Sequence, residues 1–287
     1  MNPLVIGLGI VVIALHRPAT GAEPLRPEWI ARDTAGAALV GKLMPIREQI
    51  SAPIYDIFDV GVDRLDSFES GFGGRRISVR KGYGYTSMYL EAFEFDGRLA
   101  RFKMGIDGSS LNWSSVRATV MEAWTKAGGP KYECNDSGCF HEGSDEGTLL
   151  KYKRAVAAVL GEIKRIDPPG HLQRHYEYLM SPFEVIYVGL GGCGLAGPML
   201  RGREAIDLIA HERNLELLTN VLRGYNPGGR VYALLALSEL QEKGVRIPAE
   251  TKQLMRRVQR LKIPVTTCVG CIVSRGLFAN EVVKRFQ

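Results

Sequence analysis

Apolar residues recur at helical spacing through residues 225–244, YNPGGRVYALLALSELQEKG. Val231, Leu234, Leu235, Leu237 and Leu240 gather on one broad face. Ala233 and Ala236 admit a close neighbour, and Gly244 stands where a helix cap is expected. Asn226-Pro227-Gly228-Gly229 reads as the turn before it. The spacing therefore predicts a helix over 230–241, with the second half of the chain organised around it.

The same reading applied in chain order predicts a helix over 28–50, anchored by Trp29, Ile30, Leu39, Val40 and Leu43 and disturbed by Pro45. Residues 56–70 are acidic with interspersed apolar positions and carry no clear period. Residues 71–74, Gly-Phe-Gly-Gly, read as a loop. A short strand is expected over 77–80. Two longer strands, 88–95 and 98–106, flank Asp96-Gly97, a dipeptide that suits a type I′ hairpin turn. In the second arm Ala100, Phe102, Met104 and Ile106 alternate with Arg101 and Lys103, as a sheet with one wet face requires. Helices are predicted over 114–127 and 144–166, and Asp167-Pro168-Pro169-Gly170 marks a domain boundary. Beyond it the pattern is read as helical over 171–180, 202–213, 215–223, 230–241, 249–261 and 277–286.

The expected fold class is α+β: a small antiparallel-sheet domain with helices, followed by an all-α HEAT-like (α-solenoid-type) domain. The domains expected are a signal peptide over 1–22, the α+β domain over 23–167 and the helical domain over 168–287.

Composition adds an address. Residues 3–15, PLVIGLGIVVIAL, are uncharged and apolar but shorter than the ~20 residues a spanning helix needs. They suit the apolar stretch of a signal peptide, with Thr20-Gly21-Ala22 as small residues before a start at Glu23. No Lys or Arg precedes the run, so a retained anchor or a buried first strand stays open. No later stretch has the length and apolarity of a membrane span. The net charge of +6 is carried by residues scattered along the chain as single cations or short pairs such as Arg75-Arg76 and Arg256-Arg257. That pattern argues against a nucleic-acid partner. The expected location is periplasmic or secreted.

Five cysteines bear on that address: Cys134, Cys139, Cys193, Cys268 and Cys271. In an oxidising compartment they are expected to pair. Cys134 and Cys139 flank a tight loop, and Cys268-Val-Gly-Cys271 has the spacing of a redox motif. These four are the disulfide candidates and Cys193 is the odd one, with a bridge from Cys193 to Cys268 or Cys271 as the alternative. The CxxC lacks the strand-then-helix context that activates a thioredoxin-like thiol. Cys134, Cys139 and His141 do not complete a zinc pattern with it. His171 and His175 share a helix face without the glutamate of HExxH. Gly189, Gly191 and Gly194 match GxGxxG, but Gly197-Pro198 interrupts any helix that would receive a pyrophosphate. GxSxG is absent. Cys139 with His141, and the acids Glu91, Glu94 and Asp107, are thin grounds for catalysis. Asn112 and Asn135 open glycosylation sequons.

YALLAL in the 230–241 helix, followed by TTCVGCIVS, resembles the C-terminal part of exported bacterial proteins with a HEAT-like helical half. The resemblance covers about the last third of the chain and implies a fold but no activity. The function expected is a non-catalytic protein-binding or scaffolding module of the envelope, partnered by another envelope protein or a peptide. No cofactor, metal or catalytic residue is assigned. The alternative is a cell-envelope hydrolase or thiol-redox enzyme using the Cys/His groups.

Overall fold

The computed structural model describes residues 66–82, 86–108, 133–135, 138–194, 197–270 and 272–286, with Arg32, Arg117, Ala118 and Glu122 as isolated positions. The leader, the helix expected over 28–50, nearly all of that expected over 114–127, and Cys271 lie outside these residues.

Six strands build one antiparallel sheet: β1 (Asp66–Gly71), β2 (Gly74–Gly82), β3 (Thr86–Phe95), β4 (Arg98–Gly108), β5 (Glu133–Cys134) and β6 (Gly138–Ser144). Their order is β1-β2-β3-β4-β6-β5. The β3–β4 hairpin turns at Asp96 and Gly97, whose φ values of 50° and 70° are those of the expected type I′ turn. Its register sets Met88 opposite Ile106, Leu90 opposite Met104 and Ala92 opposite Phe102. These six are buried on one face. Arg76, Glu91, Arg101 and Lys103 lie on the other, as the alternation requires.

The helices are α1 (Glu146–Leu160), α2 (Gly170–Met180), α3 (Arg201–His211), α4 (Leu215–Arg223), α5 (Pro227–Glu242), α6 (Ala249–Arg260) and α7 (Ala279–Phe286). α5 is the centre. Eleven of its 16 residues are buried, and α2, α3, α4, α6 and α7 all pack on it. Each fully buried leucine contributes about 2 kcal/mol relative to exposure. The helix starts earlier than its apolar spacing predicts. Asn226 is its N-cap and Pro227 occupies the first turn, where a missing N–H costs nothing. Gly228 and Gly229 are helical and buried. A Cβ on Gly228 would come within 2.6 Å of the Ile186 carbonyl, so this glycine lets the chain at 186 touch the helix.

The expected all-α, HEAT-like second domain is not what the chain forms. Residues 264–278 make an antiparallel hairpin, β7 (Pro264–Val269) and β8 (Ile272–Phe278). Residues 188 and 193 add parallel bridges to Thr267 and Gly270. The seven helices among the described residues cluster around α5 instead of stacking as repeated pairs, and the fold is α+β overall. The reason is visible in Val265, Thr266, Thr267, Val269, Ile272 and Val273: β-branched residues suit a pleated strand better than a helix. Their strand partners also come from a glycine-rich segment with no period of its own.

The core runs through both halves. Phe93 and Ala100 of the sheet, Tyr152 and Val156 of α1, the α5 leucines and Val283 of α7 belong to one buried cluster. Phe93 meets the Tyr152 ring edge-on at 4.8 Å.

Candidate functional site

Two buried polar side chains place the loops that form the site. Asn226 Nδ2 donates to the Ser181 carbonyl (2.7 Å) and the Glu184 carbonyl (2.8 Å), while its Oδ1 accepts from the Gly228 and Gly229 N–H groups. The capping residue thereby ties residues 181–184 to the start of α5. The Tyr232 hydroxyl, one turn on, accepts from Gly189 N–H at 3.0 Å and lies 2.9 Å from the Tyr187 carbonyl. Burial pushes that phenol's pKa up, so it stays a neutral donor and acceptor. Together the two hold 181–189 as a strap across α5.

The strap, the edge strand β1, the N-terminus of α5 and the β7–β8 hairpin enclose a cavity of about 180 Å³. Phe68, Val185, Ile186 and Val265 supply its apolar wall, and Glu69, Arg76, Glu184 and Arg275 its charges. Arg275 stacks on the Phe68 ring at 4.9 Å. A second hollow of about 150 Å³ opens on the wet face of the sheet, lined by Glu91, Arg101, Lys103, Glu142 and Phe183. Arg76 and Glu184 line both. Arg76 and Glu184 stand between the two hollows, which together make up the trough of this site.

The charges along the trough alternate in sign. Arg76 is 16% exposed and sits 3.9 Å from Glu91, too far for a tight pair. Glu142 is shared by Lys103 at 3.1 Å and Arg101 at 3.7 Å, and Arg101 stacks on Phe183 at 4.8 Å. Tyr178 beside the trough has its hydroxyl pKa raised, first by burial; Arg201 and Arg76 oppose the shift and Glu184 adds to it. Arg201 covers the Tyr178 ring at 3.9 Å. The lining can bind opposite charges and apolar groups, and among the described residues it brings no nucleophile and base into contact.

Arg76 drew no functional reading from sequence because it appeared as half of a dibasic pair. Strand alternation separates the pair: Arg75 turns to the face of Glu94, 3.0 Å away, and Arg76 to the trough. Glu184 had no signal, since a loop fixed by Asn226 from 42 residues away has no period, and Val185 was read only as the start of the apolar run before the GxGxxG glycines.

The candidate cysteines are redistributed. Cys134 and Cys139 form the local bridge, with Cα atoms 4.1 Å apart at the β5–β6 turn. Cys193 is bridged to Cys268, Cα to Cα 5.7 Å, so Cys193 is not the odd cysteine and Cys268 is not paired with Cys271. The bridge staples the segment just past the strap to β7, near where the backbones already meet through Cys268 N–H and the Val188 carbonyl at 2.9 Å. Of the GxGxxG glycines, Gly189 closes this strap, and Gly191 and Gly194 follow it. Gly189 is required because a Cβ there would collide with the Cys268 backbone carbonyl.

The other candidates remain apart. His141 is on β6 with its ring 5.5 Å from that of Phe102. His171 on α2 pairs with Glu212. Glu94 is taken by Arg75, and Asp107 by Arg80 at 2.7 Å. Among the described residues no group of three His, Cys, Asp or Glu is placed to hold a metal, and no helix is long and apolar enough to cross a membrane. Comparison of the chain with protein-family models, with curated proteins and with solved structures finds no match.

Proposed function

We propose that this protein is an exported, disulfide-stapled binding module that holds an extended polypeptide segment in the trough. The observation that carries the reading is the sharing of Arg76 and Glu184 by two hollows. A path with a narrow charged waist suits a chain threaded through it better than one compact molecule. The trough also borders β1, an edge strand whose outer side pairs with no other strand among the described residues. Such an edge offers main-chain hydrogen bonds to an added strand, while the alternating charges and apolar wall select side chains. The two disulfides support a periplasmic or secreted location, because such bonds persist in oxidising compartments. An enzymatic role for the Cys/His groups has less to rest on: Cys139 and Cys268 are tied in bridges.

The test is binding of an array of fluorescent extended peptides to the oxidised protein. Peptides that bind are expected to lose affinity about tenfold or more in Arg76→Ala and in Val185→Trp, which fills the cavity. Glu204→Ala, away from the trough, leaves binding unchanged. Absence of any binder, or binders indifferent to both trough variants, rejects the reading.

A further inference from the structure

The net charge of the chain is concentrated at one end. Residues 249–287 hold eight Lys and Arg against two acids, a surplus of +6 that equals the charge of the whole molecule. The rest of the chain, with 29 cations and 29 anions once these are taken from 37 and 31, is neutral. Both acids of the basic end are occupied. Glu250 pairs with Arg223, and Glu281 accepts the Phe278 N–H at 2.7 Å.

The fold turns this surplus into a surface. Thr251, Leu254, Met255 and Val258 of α6 face the core. The opposite side presents Lys252, Arg256 and Arg260 at i, i+4 and i+8, a row about 12 Å long. Arg257 flanks the row and donates to the Val159 carbonyl at 2.7 Å. On α7, which packs against α6, Lys284 and Arg285 are exposed. None of these six makes an ion pair among the described residues. Some cations elsewhere are matched, as Arg80 is with Asp107 and Lys103 with Glu142. Glu242 shares a shallow hollow with Lys252 and Arg256 but pairs with neither.

From this we infer that the basic face of α6, extended by α7, docks on the anionic headgroup surface of a phospholipid bilayer. Charge complementarity is the argument, and the chemistry of the face selects the partner. Past its first turn, where the exposed Glu250 is paired with Arg223, the exposed side of α6 has cations and glutamines and no aromatic or large apolar side chain. A protein partner would need such anchors for affinity. A sheet of phosphates needs none, since each cation near an anionic bilayer contributes independently. Duplex nucleic acid shares the phosphate chemistry, but the two disulfides belong to compartments that do not hold it. The inference does not depend on the trough; a docked α6 would simply hold it at a membrane.

The experiment is co-sedimentation of the full oxidised chain with phosphatidylcholine vesicles prepared with and without phosphatidylglycerol. Binding is expected only, or far more strongly, with phosphatidylglycerol, and is expected to fall as salt is added. Replacing both Arg256→Ala and Arg260→Ala is expected to lower the partition coefficient roughly 30-fold, with the far-ultraviolet dichroism and melting curve unchanged. Lys284→Ala with Arg285→Ala should lower it as well. The inference is overturned by equal partition onto neutral vesicles, or by vesicle binding that the Arg256/Arg260 variant does not weaken. Tighter binding to a duplex DNA fragment at the same ionic strength also overturns it. Should a double variant fail to fold, the salt and neutral-lipid arms decide on the native chain.

Discussion

Arg230 is 2% exposed and has no carboxylate partner among the described residues. Its guanidinium donates to the Gly224 carbonyl (2.8 Å) and, across the molecule, to the Ser70 carbonyl (3.0 Å), and it stacks on Phe72 at 5.3 Å. Burial lowers its pKa, which the neighbouring Tyr152 partly offsets, but arginine remains charged at any ordinary pH. It joins the β1–β2 turn to the base of α5, so it fixes the sheet edge that borders the trough. Arg230→Met would leave two carbonyls without a donor and should destabilise the protein by about 2–6 kcal/mol in urea unfolding, since each orphaned polar group costs about 1–3 kcal/mol. A loss under 1 kcal/mol would mean those carbonyls find water at once. Tyr152 gives a pH signature. Its hydroxyl donates to the Tyr225 carbonyl at 2.9 Å, and burial pushes its pKa from 10.0 up to about 12. The folded state therefore keeps the proton where the unfolded chain has released it. The phenol's contribution is intact below pH 10 and is lost as pH rises from 10 to about 12. Tyr152→Phe should be less stable by about 1 kcal/mol at neutral pH. It should also lose stability less steeply above pH 10; parallel alkaline curves for the two proteins would reject the assignment.

At the scale of elements, what was legible in the sequence is what is local. The β3–β4 hairpin announces itself through a two-residue turn and a period of two. α4 spans the 215–223 expected, with Asn214 accepting from Leu217 N–H at its start. The Cys134–Cys139 bridge needed only its own loop. By contrast β7 and β8 carried strand-forming residues, but their surroundings read as helical and their partner segment is 75 residues away, at Cys193. The trough was equally hidden, because its waist joins a strand residue to a loop residue through an asparagine on a third element. The same contrast sets what each disulfide is worth. A bridge constrains the unfolded chain in proportion to the logarithm of the loop it closes. With separations of 5 and 75, the chain-entropy estimate is about 2 kcal/mol for Cys134–Cys139 and about 4.5 kcal/mol for Cys193–Cys268. The paired Ser variants, measured by urea unfolding, should rank in that order, and Cys193→Ser with Cys268→Ser should also loosen the strap and weaken any ligand held in the trough. The reverse ranking would show that the strap's backbone bonds to β7 hold it without the staple.

At the scale of the whole molecule the question is whether the Asp167-Pro168 break in sequence is a break in stability. The interactions that cross it argue that it is not. Asn220 is buried on α4, yet its side chain accepts from Lys164 N–H (3.0 Å) and donates to the Lys164 carbonyl (2.8 Å), pairing with the connecting segment as a strand would. Arg257 holds the last turn of α1, Tyr152 bonds to Tyr225, and Arg230 reaches Ser70. The cluster that includes Phe93, Tyr152 and Leu160 is the same one that includes Leu234 and Val283. A helical half released at residue 168 would expose the surfaces that Tyr152, Val156 and Leu160 cover. At about 1.5–3 kcal/mol for each large apolar side chain no longer buried, the loss rivals the 5–15 kcal/mol that holds a typical domain together. The whole chain should therefore unfold in one calorimetric transition, with equal calorimetric and van't Hoff enthalpies. The fragment 168–287, with its Cys193–Cys268 bridge intact, should show no cooperative melt of its own. Two resolved transitions in the full chain, or a sharp melt of the fragment near the native temperature, would mean that α5 and its neighbours carry enough of the core to stand without the sheet.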